Sequence, residues 1–90
     1  MLRITPLSTN QSVRRLKVEG RLVGEWVEVL EDEVERARGQ TLALELELEL
    51  AGVEFADTEG LALLHEVAER GAKLVACSPL LTRLLESRGS

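Results

Sequence analysis

The chain has 90 residues, of which 11 are Lys or Arg and 16 Asp or Glu, for a net charge of −5; 44% are hydrophobic and 30% charged. Such a balance predicts a single globular domain, residues 1–90, too short for two cores and too apolar for a disordered tail. It argues against nucleic acid: binding phosphates needs a concentrated positive face, and one Trp and one Phe cannot form a base-stacking platform.

Cys77 is the only cysteine, so an internal disulfide and a cysteine-built metal site are both excluded, and a reducing cytoplasm is the expected location. No apolar run approaches the ~20 residues of a membrane span, and "MLRITPLSTN" lacks the apolar stretch of a signal peptide. No membrane partner and no cofactor are expected.

In chain order, Leu2–Leu7 reads as a short edge strand, the position at which Pro6 is tolerable. Ser8 to Ser12, "STNQS", is turn chemistry. Val13–Val23 then alternates, with Leu16, Val18 and Leu22 on one face and Arg15, Lys17, Glu19 and Arg21 on the other, which predicts a strand and a hairpin. From Glu25 the period becomes helical: Val27, Leu30, Val34 and Ala37 form a stripe with Trp26 at its edge. Acidic residues crowd the first turns, Arg36 and Arg38 the last, and Gly39 is the expected stop.

"TLALELELEL" sets Leu42, Leu44, Leu46, Leu48 and Leu50 against Glu45, Glu47 and Glu49. A helix would scatter these leucines, whereas a strand gathers them on one side. Leu and Glu have modest strand propensity, so burial has to override it. The strict alternation implies helices on one sheet face only. If the two alternating strands are neighbours, Arg15, Lys17 and Arg21 face Glu45, Glu47 and Glu49.

A second helix is expected from Thr58 to about Arg70, with Leu61, Leu64 and Ala68 inward, Leu63 and Val67 widening the stripe, and Gly71 as stop. "KLVAC" is a short strand. Ser78-Pro79 is an N-cap and first-turn proline for a last helix lined by Leu80, Leu81, Leu84 and Leu85. The fold class is therefore α/β, with the order β-β-α-β-α-β-α and helices mainly on one face. Neither a GxGxxG fingerprint nor a Walker sequence occurs.

The residues do not compose an enzyme. His65, the single histidine, falls among helix residues with neither nucleophile nor orienting acid in view, and reads as a boundary residue. Glu25 to Glu35 occupy the polar side of their helix and read as a solvated face, with no metal site. Cys77 precedes a helix start that could lower its pKa, although a small buried hydrophobe is the commoner role. "FADTEG" remains. Asp57 is an N-cap candidate, with Thr58 and Glu59 in a first turn that favours anions. The carboxyl end of a strand is also where open α/β sheets bind ligands, and a helix start there accepts phosphate.

"LKVEGRLVGEWVEVLEDEV", "LELAGVEFADTEGLALLHEV", "GAKLVACSP" and "LLTRLLES", spanning about Leu16 to Glu86, resemble the successive blocks of the STAS domain, the fold of bacterial anti-sigma factor antagonists. The resemblance implies a non-enzymatic regulatory domain that binds an anti-sigma factor kinase and thereby frees a sigma factor. That kinase phosphorylates the first hydroxyl after the central strand, and a phosphatase resets the switch. It further implies that Thr58 is the phosphoacceptor candidate and that Asp57, Thr58, Glu59, Gly60 and Leu61 form the partner-binding loop and helix start. Two departures accompany it. Glu59 takes the place of a small residue and could stand in for the phosphate. The sequence also stops after the helix that begins at Pro79, where antagonists usually add a strand and a helix; the expected result is an uncovered "KLVAC" edge that invites pairing or a homodimer. Two further readings stay open: a small-ligand or nucleotide-sensing domain using the Asp57 loop, and a dimerising structural subunit of a signalling assembly. The nucleotide option lacks phosphate-cradling glycines, and Lys73 lies beyond the second helix, away from the loop.

Overall fold

The expected edge strand and the alternating segment after it form strands β1 (Leu2–Ser8) and β2 (Val13–Leu22), paired antiparallel with Pro6 on the outer strand opposite Leu16. The chain continues as α1 (Glu25–Gln40), β3 (Glu45–Ala56), α2 (Thr58–Glu69), β4 (Lys73–Val75) and α3 (Pro79–Gly89), the predicted order. The computed structural model describes residues 2–8, 13–40 and 45–89; the expected turn at 9–12 and the inward placement of Leu42 and Leu44 lie outside the described residues.

The sheet is mixed, in the order β1-β2-β3-β4, with β2, β3 and β4 parallel. Leu16, Val18 and Leu22 of β2 and Leu46, Leu48 and Leu50 of β3 are buried in one cluster with residues from all three helices: Leu30 and Val34 of α1, Leu64 and Val67 of α2, Leu81 of α3. Each such side chain stabilises the fold by about 1.5–3 kcal/mol relative to exposure, which outweighs the weak strand preference of Leu. On the opposite face Arg15 donates to Glu47 through Nη2 at 2.7 Å and Nε at 3.0 Å, and Lys17 lies beside Glu49 in register. Glu45 pairs with Lys73 at 3.4 Å. Arg21 departs from the expected pattern: its neighbour is Phe55, with the guanidinium 5.8 Å from the ring centroid.

That departure has a cause in β3. Between the pairs Lys17–Glu49 and Glu19–Gly52, β3 advances three residues while β2 advances two. Between Gly20–Val53 and Arg21–Phe55 it advances two against one. Each extra residue is a bulge that re-aims the side chains after it. The buried series therefore runs Leu50, Val53, Ala56 and leaves strict alternation. Phe55 is turned to the open face, and the strand end is set so that the chain leaves Ala56 directly into the turn at Asp57.

Several local expectations are revised by packing. Helix α1 runs past Gly39 to Gln40, and β2 ends at Leu22, before Val23. Ala68 is exposed, while Leu61, Leu63, Leu64 and Val67 of α2 are buried as expected. Leu80 is 52% exposed, because the inward side of α3 is carried by Leu81 with Leu84 and Leu85. Ala76, at φ 56, breaks the strand after Val75, so "KLVAC" yields only three strand residues. Gly71 does act as the stop of α2: at φ 102 it donates to the Ala68 carbonyl while Ala72 donates to that of Val67. Ser78 accepts the Leu81 N–H on its hydroxyl at 3.1 Å, the expected cap of α3.

Candidate functional site at the start of α2

Asp57 is extended, at φ −81 and ψ −177, and its Oδ1 accepts the Gly60 N–H at 2.8 Å. This satisfies one of the orphan donors of the first helical turn. The second carboxylate oxygen, Oδ2, accepts the Gly24 N–H at 3.0 Å, in the turn that leads into α1. The Asp57 N–H in turn donates to the Leu22 carbonyl at the end of β2, 3.2 Å away. One residue thus ties together the end of β2, the entry to α1 and the start of α2. The N–H donors of Gly24 and then Gly60 hold its carboxyl below the ordinary 3.8, against a smaller opposing effect of burial.

Gly60 is required by proximity. A methyl group on its Cα would lie 2.5 Å from the Leu22 carbonyl oxygen and 3.0 Å from Leu22 Cγ, so the first turn of α2 rests directly on the β2 backbone. The five residues singled out in the sequence therefore divide. Gly60 and Leu61 are buried and anchor the helix, Asp57 is half-buried and clamps it, and Thr58 and Glu59 are exposed. Gly24 and the Leu22 carbonyl complete the clamp. The only sequence signal for them was the glycine in "LVGEW", which reads as an ordinary turn residue until the two segments are known to meet. Phe55, two residues before Asp57, is 39% exposed beside Arg21.

The remaining candidates are dispersed. His65 Nε2 lies 3.0 Å from the Leu85 carbonyl oxygen, an acceptor that the Nε2–H tautomer satisfies, and so joins α2 to α3. Cys77 packs against the core, and burial pushes its thiol upward, opposite to the lowering a helix start could have produced. Among the described residues no group of three or more His, Cys, Asp or Glu could hold a metal ion. Among them, too, no helix is long and apolar enough to cross a membrane.

The backbone superposes on a solved structure of the anti-sigma factor antagonist SpoIIAA in its unphosphorylated form, with a TM-score of 0.68 over 93% of this chain and 82% of that one. Identity between the two is 18%, so the likeness is one of fold: this chain has the STAS fold that its sequence blocks resemble. No family model matches the sequence, and no curated protein matches it.

Proposed function

We propose that this chain is a non-enzymatic, cytoplasmic interaction domain of the anti-sigma factor antagonist type, which docks an anti-sigma factor kinase through the start of α2 and carries a fixed charge, Glu59, beside Thr58. The observation that supports this reading is the outward-facing Thr58–Glu59 pair on a helix start immobilised by Asp57 and Gly60, within a STAS fold. An immobilised, exposed first turn suits recognition because little conformational entropy is lost when a partner binds it.

The same geometry disfavours a reversible switch at Thr58. A phosphate there would add about −1.5 to −2 charge units between Glu59 and an Asp57 carboxylate that two backbone N–H groups keep ionised. Asp57 already engages the Gly60 N–H, one of the donors through which a helix start offsets such charge. Glu59 instead supplies a permanent carboxylate at that surface.

The test is a titration of an anti-sigma factor kinase against the wild type, Thr58→Ala and Glu59→Ser, with a parallel ATP incubation read by intact mass. Thr58→Ala is expected to bind like the wild type. Glu59→Ser should change the affinity by about fivefold, the equivalent of ~1 kcal/mol for one surface charge. Stoichiometric phosphate on Thr58, accompanied by loss of the complex, would reverse the assignment and make Thr58 the switch.

A further inference from the structure

Three rows of the sheet face opposite the helices share one arrangement, while a fourth, Glu19 beside Gly52, carries its anion on β2. Arg15 is paired across from Glu47, Lys17 from Glu49, and Arg21 from Phe55. In every one of these three rows the cation stands on β2, and the anion or the negative ring face stands on β3. Across the β2–β3 boundary each of these three rows is a small dipole pointing the same way; in the first, Lys73 of β4 adds a cation on the far side of Glu47. Leu7 and Val75 share this face, in the rows of Arg15 and Glu49, and neither belongs to the core cluster. Phe55, the only Phe of the chain, is 39% exposed here although the core is built from Leu, Val and Ala.

We propose that two copies of this chain stack these open faces about a two-fold axis that runs along the strands between β2 and β3. Such an axis carries β2 of one copy over β3 of the other without changing height along the strands. Arg15 then lies over the second copy's Glu47, Lys17 over its Glu49 and Arg21 over its Phe55, each contact occurring twice. The row dipoles stack antiparallel, the attractive arrangement, and each ring receives a guanidinium from both copies. A different protein would need the same row-by-row pattern to match this face, whereas a second copy provides it by symmetry. The area is adequate for a weak dimer. The four strands, of seven, ten, twelve and three residues, at ~3.3 Å per residue and ~4.8 Å apart, cover roughly 500 Å² per copy, or ~1,000 Å² in all, the size of a weak, transient interface. The edge strand β4, with only Lys73–Val75, offers far less backbone for pairing.

The test is the mass in solution by sedimentation equilibrium, at ~0.05 M and at ~0.5 M salt, where screening of exposed charges differs strongly. The wild type is expected at twice the 9.9 kDa chain mass in low salt, with at least about tenfold weaker association in high salt. The double variants E47K/E49K and R15E/K17E each carry a single sign at the four β2 and β3 positions of the 15–47 and 17–49 rows, and each should sediment as a monomer. Mixed in equal amounts they should recover the dimer mass, because each β2 and β3 cation of those two rows then meets an anion across the axis. Phe55→Ser alters an exposed side chain outside the core and should weaken the dimer even if the charge variants fail to fold, as judged by circular dichroism. A wild type that is monomeric at low salt overturns the proposal. So does a dimer that Phe55→Ser and the charge reversals leave intact, which would place the contact elsewhere, at the β4 edge for example. Folded charge variants that do not associate on mixing would overturn it as well. None of these outcomes depends on the kinase titration, which probes the start of α2.

Discussion

Replacing Gly60 by Ala sets two effects of opposite sign against each other. In an isolated helix the change would be favourable by about 1 kcal/mol, since Ala loses less backbone freedom than Gly. Here the new methyl would come within 2.5 Å of the Leu22 carbonyl oxygen and 3.3 Å of Asp57 Oδ1. The first contact is with backbone, and ordinary van der Waals separation requires α2 to retreat by close to 1 Å. The retreat loosens the Asp57–Leu22 hydrogen bond, at 3.2 Å, and the Asp57–Gly60 cap, at 2.8 Å. Overpacking of this kind costs ~1–3 kcal/mol, and a weakened cap and backbone bond add ~1 kcal/mol or more. The expected net destabilisation is about 2 kcal/mol. With a urea slope near 1 kcal/mol/M for a domain this small, the denaturation midpoint followed by far-ultraviolet circular dichroism should fall by ~2 M with the slope unchanged. An unchanged or higher midpoint would mean that α2 does not rest on the β2 backbone at Gly60, and the account of the site would fail with it.

Other consequences follow from the same contacts. Asp57→Ala removes both the Gly60 and the Gly24 hydrogen bonds and should destabilise by about 1–2 kcal/mol in the same assay. Because the folded pKa of Asp57 lies below 3.8, the unfolded chain binds more protons there; the stability it contributes is fully present above the unfolded value and is lost as pH falls through the folded one, so Asp57→Ala should flatten the acid limb of a stability–pH profile and leave its slope unaltered above about pH 5. Glu47→Lys would set three cations in one row, Arg15, position 47 and Lys73, and should destabilise by ~1 kcal/mol, more at low salt; melts that coincide with the wild type at low ionic strength would contradict the strand register. Cys77, raised by burial, should react with a maleimide near neutral pH several-fold more slowly than a free cysteine, and equal rates would contradict its packing.

The sequence by itself determined the elements and their order. A period of two or of 3.6 in apolar residues is a local property, and the caps at Asp57 and Ser78 act within three residues of themselves. The inward residues Leu16, Val18, Leu46, Leu48 and Leu50 were legible for that reason. The exposed pair Thr58–Glu59 was legible as a helix start through its position after a strand. Tertiary structure alone decided how far each pattern extends. Strand β3 is longer than its alternating leucines suggest, and its two bulges exist only relative to β2, so no local signal reports that Val53 turns inward or that Arg21 meets Phe55 where a glutamate was expected. Ala68 and Leu80 carry helical spacing but lie on exposed flanks of their helices. The clamp at the site is non-local in the same sense: the N–H of Gly24 is 33 residues from the carboxylate that accepts it, and Gly60 is needed only because α2 lands on the carbonyl of Leu22. Periodicity encodes which side of an element is apolar, while the contacts that build the site depend on the stagger of strands and the approach of helices, which form only when the chain is folded.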